Sequence, residues 1–368
     1  DTWRAALLIF GVMAHCAEVN KVNGKLSIFT LIIFMSHAFR MEAFFAVSGF
    51  LAAFALKKDP THFIISRFRI IAIPLAVVLG VIMPPLGFGG SSLHHLWFLV
   101  TLLGASWLAY SLEQAGIIDR CLIATRGCTG YQLLMIFLIG SNLASVACFM
   151  LLDIFTKTGS VSDVHSLVGT LLQSPYYCVF YFAGLYISRS VTVREKLLNV
   201  NLMRIGLASM CLVGLLFVQY YETLLNAKHD MLSGLITASL VSLSAAAMAV
   251  IVIGTGLSSS KPRGLVMRFS AASYTIYLLH FPIIAGINHV VRNLDMNEFE
   301  RFGVLFILTS VVSFFIHEQI LRRSPMLRLL LNGRGGLSET AVYKTLIKSL
   351  DHLMVKLTSS NPSKRQSY

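Results

Sequence analysis

Charged residues are scarce in this sequence. Asp, Glu, Lys and Arg make up 13% of its 368 residues, whereas soluble domains carry about 25%. Hydrophobic residues make up 56% of the chain, so it has too few charges to cover its apolar surface in water. This composition excludes a cytosolic globular enzyme, a disordered protein and a disulfide scaffold. It predicts a polytopic membrane protein.

Several motifs that indicate particular chemistries are also missing. The sequence contains no P-loop, no G-x-S-x-G turn, no C-x-x-C pair and no cluster with metal-ligand spacing. An ATPase, a covalent serine enzyme and a metal centre therefore have little support. The six cysteines are scattered, mostly inside apolar segments, where we expect them to act as small core residues.

Ten apolar segments are candidates to cross a bilayer, which takes about 20 residues of helix. We therefore expect an all-α fold, a polytopic transmembrane bundle of about ten helices. The second segment is longer than the bilayer requires, so its helix is expected to tilt, bend or project. The predicted helices cover residues 3–19, 26–56, 70–88, 96–112, 131–152, 176–188, 203–221, 232–254, 271–291 and 302–321.

The distribution of the positive charges favours one orientation of the chain in the membrane. Of the 30 lysines and arginines, 23 lie at the termini and in one set of alternate loops, and six lie in the opposite set. Because positively charged loops stay in the cytoplasm, this split predicts that both termini are cytoplasmic. An even number of helices agrees with that prediction. Basic residues confined to short loops, without a basic face, argue against binding of nucleic acid.

The end of the chain differs from the rest. We expect residues 1–331 to form the transmembrane domain and residues 332–368 to form a cytoplasmic tail. Between residues 338 and 357, apolar side chains recur at helical spacing with lysines interleaved, which is typical of a basic amphipathic helix on a membrane surface. Residues after 359 are expected to be disordered. A second short interfacial helix is expected over residues 61–69.

Ionisable side chains inside the apolar segments indicate function, because they are costly in hydrocarbon. With the predicted orientation they form a column, arginines towards the inner face and histidines towards the middle and outer face. Guanidinium groups bind phosphate through two hydrogen bonds, and histidine transfers protons near neutral pH. The column therefore predicts a phosphorylated donor entering from the cytoplasm and proton abstraction further out. Its members are Arg4, Arg67, Arg69, His317, Glu318, Arg40, Glu42, His280, His37, His95 and His15.

Each of these residues also has a structural interpretation. Arginines at the inner face can anchor helices, and a histidine beside a tryptophan can belong to the aromatic belt. A histidine can also pair with a nearby carboxylate or bind backbone freed by a proline. The buried guanidinium of Arg40 needs an anion or a partner such as Glu42. The other structural interpretations concern Arg4, Arg67 and Arg69; His95 beside Trp97; His37 with Glu42; and His280 before Pro282. The Ser48-Gly49 pair is expected to allow close helix packing.

Five short motifs, in order, resemble those of the membrane acyltransferase 3 family. Arg4-x10-His15 is similar to the family's R-x10-H motif in the first helix, and HAFRMEAFFAVSGF, residues 37–50, is similar to its second-helix signature. The set continues with a basic segment, RFR at 67–69, then HLWFL at 95–99 and SYTIYLLH at 273–280. The resemblance spans residues 3 to about 325. Within the family it is most similar to the glucans biosynthesis protein C branch.

This resemblance implies an integral O-acyltransferase of the bacterial inner membrane. Members of the branch are implicated in adding succinyl groups to osmoregulated periplasmic glucans, and other relatives transfer acetyl groups. The implied donor is a cytoplasmic acyl-CoA, succinyl-CoA or acetyl-CoA, and the implied acceptor is a hydroxyl of a periplasmic or cell-surface glycan. No metal, no permanently bound cofactor and no nucleic acid partner are expected; the bilayer is the remaining partner.

Acyl transfer to a hydroxyl needs a base and a group that stabilises the tetrahedral oxyanion. We assign the base to His15. The candidates for the oxyanion are His37, Tyr277 and His280; for donor phosphates, Arg4, Arg40, Arg67 and Arg69; and for substrate, His95, Trp97 and Glu42. A transporter or exporter is an alternative, because ion pathways also place ionisable residues in a membrane. A non-catalytic membrane sensor or assembly partner is a further alternative.

Overall fold

The computed structural model describes residues 2–20, 27–88, 92–159, 165–198, 209–210, 213–214, 216, 231–258 and 264–334. All regular elements in these ranges are helices, and the one β-type contact is an isolated bridge between Ser92 and Ser166. The predicted all-α fold is therefore confirmed. The expected amphipathic helix at 338–357 and the disordered end lie outside the described residues, as does most of the expected helix at 203–221.

The described ranges contain twelve α-helices. In chain order they are α1 (Thr2–Val19), α2 (Ile28–Lys58), α3 (Pro60–Val77), α4 (Trp97–Gln114), α5 (Ile117–Ala124), α6 (Gly130–Lys157), α7 (Leu167–Arg189), α8 (Val191–Leu198), α9 (Met231–Ser258), α10 (Leu265–Val291), α11 (Glu298–Phe315) and α12 (Pro325–Asn332). Single π-helical stretches extend α3 over Val78–Ile82 and α11 over Ile316–Leu321. Short 3-10 turns occupy Pro84–Leu86 and His94–Leu96.

Seven of these helices, with their extensions, are long and apolar enough to cross a membrane, namely α2, α3, α4, α6, α9, α10 and α11. The apolar part of α1, Ala5–Val19, is shorter. The predicted segment 176–188 belongs to α7, which begins earlier, at Leu167. The short helices α5, α8 and α12 were not predicted from the sequence. Their eight residues each are too few to produce a long apolar segment.

Asp59 reverses the chain between α2 and α3. Its backbone N–H donates to Ala55 O at the end of α2, and its carboxylate accepts from His62 N, 2.9 Å away, at the start of α3. Pro60 follows as the first residue of α3, where its missing N–H costs nothing. The prediction of a separate interfacial helix at 61–69 differs from this result. Residues 61–73 contain neither glycine nor proline, so one helix continues through them.

The long helix α2 is the centre of the bundle, in contact with α1, α7 and α9. Its crossing with α7 is close because two glycines face the opposite backbone. A Cβ at Gly49 would overlap the carbonyl of Tyr181, and a Cβ at Gly184 would overlap the carbonyl of Ala46. The expected close packing at Ser48-Gly49 is thereby confirmed.

Candidate functional site

A cavity of about 350 Å³ lies among five helices, at the end of the bundle where α1 ends and α2, α4 and α7 begin. We call it the histidine cavity. Seven of the site residues predicted from the sequence line it: His15, His37, Arg40, Glu42, His95, Trp97 and Tyr277. The other lining residues are Glu18, Met41, His94, His165, Gln173, Tyr177 and Phe281. The fold thus gathers residues that lie up to 266 positions apart in the chain.

Glu18 holds the imidazole of His15. His15 Nδ1 lies 2.8 Å from Glu18 Oε2, one helical turn further along α1. The other carboxylate oxygen, Oε1, lies 3.6 Å from His37 Nε2 on α2. Because an ionised carboxylate only accepts hydrogen bonds, the Nδ1 of His15 carries the proton. The Nε2 of a neutral His15 is then left with its lone pair, which is the form a general base needs.

His280 and His95 pack behind His15. The ring centroids of His15 and His280 are 5.2 Å apart, and those of His95 and His280 are 5.0 Å apart. His280 Nδ1 donates to the carbonyl of Tyr277 over 2.6 Å, which fixes its tautomer and leaves Nε2 as an acceptor. The hydroxyl of Tyr277 donates to the carbonyl of His95 in a short hydrogen bond. In this state, neither His280 Nε2 nor the Tyr277 hydroxyl has a proton free to donate to a substrate.

Arg40 belongs to the histidine cavity. A Cβ at Gly11 of α1 would overlap Arg40 Nη1, so the glycine leaves room for the guanidinium. The proposed pairing of Arg40 with Glu42 is not found among the ion pairs of the described residues, and neither is a pair of His37 with Glu42. Residues two apart on a helix point in nearly opposite directions, which separates Arg40 from Glu42. His37 meets Glu18 of α1 instead.

Several buried polar atoms at this cavity have no hydrogen-bond partner among the described residues. Glu42 is 3% exposed and its Oε2 has no partner, and the same holds for Arg40 Nε, His94 Nε2 and both ring nitrogens of His95. His280 Nε2 joins them. Native proteins rarely leave such groups unpaired, and exceptions cluster at functional sites. The cavity is therefore suited to a polar ligand.

Aromatic rings form part of the cavity wall. Trp97 lies 4.9 Å from Tyr177, and Phe281 stacks on His95 at 5.0 Å, both measured between ring centroids. The two loops beside these rings are joined, because Leu93 N donates to His165 O over 2.8 Å. His94 adopts a positive φ of 47°, which is uncommon for a residue other than glycine and occurs preferentially at functional sites.

Several residues of this site were not predicted from the sequence. Glu18 had a usable signal, because it lies three residues after His15 and so on the same helical face. His94 is adjacent to the predicted His95. His165, Gln173 and Tyr177 carried no comparable signal, since only the position of α7 brings them to the cavity.

The remaining predicted arginines do not line the histidine cavity. Arg4 lies in the first turn of α1; its side chain is outside the described part of the structure. Arg67 and Arg69 lie on α3, where the guanidinium of Arg67 sits 5.3 Å above the Phe63 ring. The hydroxyl of Tyr274 donates to Ile70 O over 2.8 Å. Tyr274 precedes the cavity-lining Tyr277 by about one turn of α10, so the Arg69–Ile70 backbone contacts this helix close to the cavity.

Among the described residues, no group of three or more His, Cys, Asp or Glu side chains is arranged to hold a metal ion. The histidines of the cavity instead contact carboxylate, carbonyl and aromatic groups, as set out above. Their arrangement is suited to proton transfer at the His15 imidazole, with the Arg40 guanidinium as a nearby permanent positive charge.

Comparison with known proteins agrees with this chemistry. A family profile described as an acyltransferase domain matches residues 1–318, which include all the lining residues of the histidine cavity. No curated protein and no solved structure matches the chain. The apolar helices place the protein in a membrane, and the match covers most of its length. The chain therefore belongs to the acyltransferase 3 family and is an integral membrane acyltransferase.

Proposed function

We propose that the protein transfers an acyl group, succinyl or acetyl, from a cytoplasmic acyl-CoA donor to a hydroxyl of a periplasmic or cell-surface glycan. The observation that carries this proposal is the His15–Glu18 pair at the histidine cavity, because acyl transfer to a hydroxyl needs an oriented base. We further propose the bacterial inner membrane as its location, with both termini cytoplasmic. The charge distribution of the loops supports this orientation.

The proposed reaction begins when His15 Nε2 takes the proton of the acceptor hydroxyl. The hydroxyl oxygen attacks the thioester carbonyl, and the resulting tetrahedral oxyanion needs a positive donor close by. We assign that donor to Arg40, since its guanidinium keeps its N–H groups in every protonation state relevant to the reaction. Collapse of the intermediate breaks the C–S bond, and the protonated His15 returns its proton to the leaving thiolate. The products are the acylated glycan and free CoA.

This assignment moves Arg40 from donor phosphates to the oxyanion. It also leaves His37, Tyr277 and His280 in supporting positions. His37 is 60% exposed and faces Glu18, and the other two direct their protons to backbone carbonyls. We propose that His280 and Tyr277 position the rings around His15, and that His95, Trp97 and Glu42 contact the acceptor and acyl group.

The donor phosphates are proposed to bind at Arg4, Arg67 and Arg69. The predicted topology places the start of α1 and the first half of α3 towards the cytoplasm. CoA carries its thioester at the end of a long uncharged arm. With the phosphates held near Arg69, this arm needs to extend only past Tyr274 and Tyr277 to reach the histidine cavity. The charged part of the donor then stays near the cytoplasmic side, which avoids moving it across hydrocarbon.

His15→Ala in detergent-purified protein tests the proposal. We expect the variant to bind acyl-CoA normally and to lose transfer to a glycan acceptor by about 10²- to 10⁴-fold, the range for loss of a general base. Donor affinity is measured by calorimetry and transfer by release of free CoA. His62→Ala is the matched control, because His62 is an exposed histidine at the start of α3.

Two results would contradict the proposal. Transfer by His15→Ala at the rate of His62→Ala would remove His15 from the reaction. A purified protein that binds acyl-CoA but never releases CoA, with or without acceptor, would favour the transporter alternative. Mass spectrometry of surface glycans from cells with and without the protein identifies the acyl group and the acceptor.

A further inference from the structure

We propose that α12 and the two residues after it complete the donor site, with Arg334 binding phosphate of the nucleotide part of CoA. The proposal rests on the acyl-CoA donor proposed above. The segment lies beyond residue 318, where the family match ends.

Gly333 brings this segment into direct contact with α3. It adopts φ 60° and ends α12 with its N–H donating to Leu329 O over 2.8 Å. The next N–H, of Arg334, donates to Arg328 O over 3.3 Å. A Cβ at Gly333 would overlap the carbonyl of Arg69 and the Cα of Ile70. The backbone beside Arg334 is therefore held against one of the predicted phosphate-binding arginines.

A second set of contacts fixes the segment to α10 at the same level. Thr275 Oγ1 donates to Asn332 Oδ1 over 3.1 Å and lies 2.8 Å from His317 Nδ1. The neighbouring Tyr274 donates to Ile70 O of α3 over 2.8 Å. Two adjacent residues of α10 thus contact α3 and α12, so the segment that carries Arg334 and the one that carries Arg67 and Arg69 meet α10 at the same level.

Three arginines at this level form no ion pair within the described part of the chain. No Asp or Glu there forms an ion pair with Arg67, Arg328 or Arg334, and Arg328 Nε is buried without a hydrogen-bond partner. Glu318, ten residues before Arg328, pairs with Arg322 at 2.6 Å. Several guanidinium groups without carboxylates form a typical phosphate-binding surface.

The exposure of these arginines indicates which part of the donor each of them contacts. Arg67, Arg69 and Arg328 are partly buried, whereas Arg334 is exposed. The thioester end of the donor belongs in the histidine cavity, so the nucleotide end must lie furthest from it. The exposed Arg334 therefore meets the nucleotide phosphates, and the partly buried arginines meet the donor closer to its arm.

Binding of two probes to one set of variants tests this inference. The probes are CoA and 4′-phosphopantetheine, which has the arm but not the nucleotide, and both dissociation constants are measured by calorimetry in zwitterionic detergent. We expect Arg334→Ala to weaken CoA binding by about 5-fold, below the full value of a charged hydrogen bond because Arg334 is exposed. Binding of 4′-phosphopantetheine should not change. Arg323→Ala, an exposed arginine just before α12, is the control and should leave both constants unchanged.

Two further variants distinguish a direct contact of Arg334 with CoA from an indirect effect on the stability of the fold. Arg334→Lys should recover part of the CoA affinity, because it restores the charge without the two-pronged hydrogen bonding. Gly333→Ala should weaken CoA binding as Arg334→Ala does, because the added Cβ pushes the segment away from α3. If Arg334→Ala behaved like Arg323→Ala while Arg67→Ala lost affinity, the inference would be wrong and the proposed donor would stand.

Other outcomes contradict the inference in different ways. If Arg334→Ala weakened the binding of both probes equally, Arg334 would not contact the nucleotide part of CoA. An effect of Arg334→Ala seen only in anionic-lipid nanodiscs, and absent in detergent, would make Arg334 a lipid headgroup contact. Failure of the unaltered protein to bind either probe would instead overturn the proposed donor itself.

Discussion

Glu18 is expected to control the activity of His15 without touching the substrate. Its carboxylate accepts from His15 Nδ1 and would stabilise the imidazolium formed during transfer. Glu18→Gln should lower kcat by roughly 10- to 10³-fold, because an amide lacks the charge and can hold the wrong tautomer. The KM for the donor should stay the same, since Glu18 lies away from the arginines of α3. Steady-state kinetics with varied acyl-CoA measures both constants.

Glu113→Gln is the matched control for this prediction. Glu113 is also a carboxylate in an ion pair, 2.6 Å from Arg189, but it does not line the histidine cavity. Its variant should keep kcat per folded molecule. A rise in KM with unchanged kcat for Glu18→Gln would show that Glu18 contributes to binding and not to the base.

Some features of the site residues could be predicted from the sequence and others could not. His15 stood out because an ionisable group in an apolar helix is costly. Arg40 stood out for the same reason. It was expected to bind donor phosphates together with the other arginines, whereas in the structure it lies among the histidines of the cavity. The sequence lacked that information because Gly11 of another helix makes the space for its guanidinium.

The crossing of α2 and α7 is expected to limit the stability of the bundle. Gly49→Ala would place a Cβ onto the backbone of Tyr181, which neither helix can avoid without moving apart. We expect a loss of about 1–3 kcal/mol or more, the usual cost of overpacking. Thermal unfolding of the detergent-solubilised protein measures this as a lower midpoint.

Gly104→Ala is the control for that prediction. Gly104 lies inside α4 with no heavy atom within 4 Å of an added Cβ, so alanine should leave the midpoint unchanged or raise it. Equal midpoints for Gly49→Ala and Gly104→Ala would contradict the proposed role of the crossing. This comparison separates packing from helix propensity, because both changes replace a helical glycine by alanine.

Helices were predicted most reliably where apolar segments are long. The nine predicted segments that fall on described residues correspond to α1–α4, α6, α7 and α9–α11, with ends that shift by a few residues or more. The break expected before residue 70 does not exist, since charged residues in a helix do not end it. Helix α12 was not predicted, and its docking depends on Gly333 meeting α3.

The orientation of the whole molecule in the membrane stays a prediction, and it has a direct test. Lys57 lies in the last turn of α2 and Lys157 ends α6, and the loop charges place them on the cytoplasmic and outer sides respectively. Lys57→Cys and Lys157→Cys are made in a background without the six native cysteines. An impermeant thiol reagent added to intact cells should label position 157 and not position 57.

The opposite labelling pattern would mean that the bundle has the opposite orientation in the membrane. The histidine cavity lies at the end where α1 finishes, so it would then face the cytoplasm, and the proposed glycan acceptor would be on the wrong side. The family assignment and the geometry of the cavity would not change. Equal labelling of both positions would indicate access to both sides and would call for repeating the test in sealed vesicles.

The sequence by itself determined the membrane setting, the helical fold and the residue types of the chemistry. Composition and apolar length act locally along the chain, so they can be read without coordinates. Only the tertiary structure decided which ionisable groups meet. Glu18 of α1 meets His37 of α2, Arg40 lies over Gly11, and Gly333 carries Arg334 to α3. These contacts join residues of different helices, and the last two also depend on a glycine that leaves room for the opposite helix, so they leave no periodic signal in the sequence.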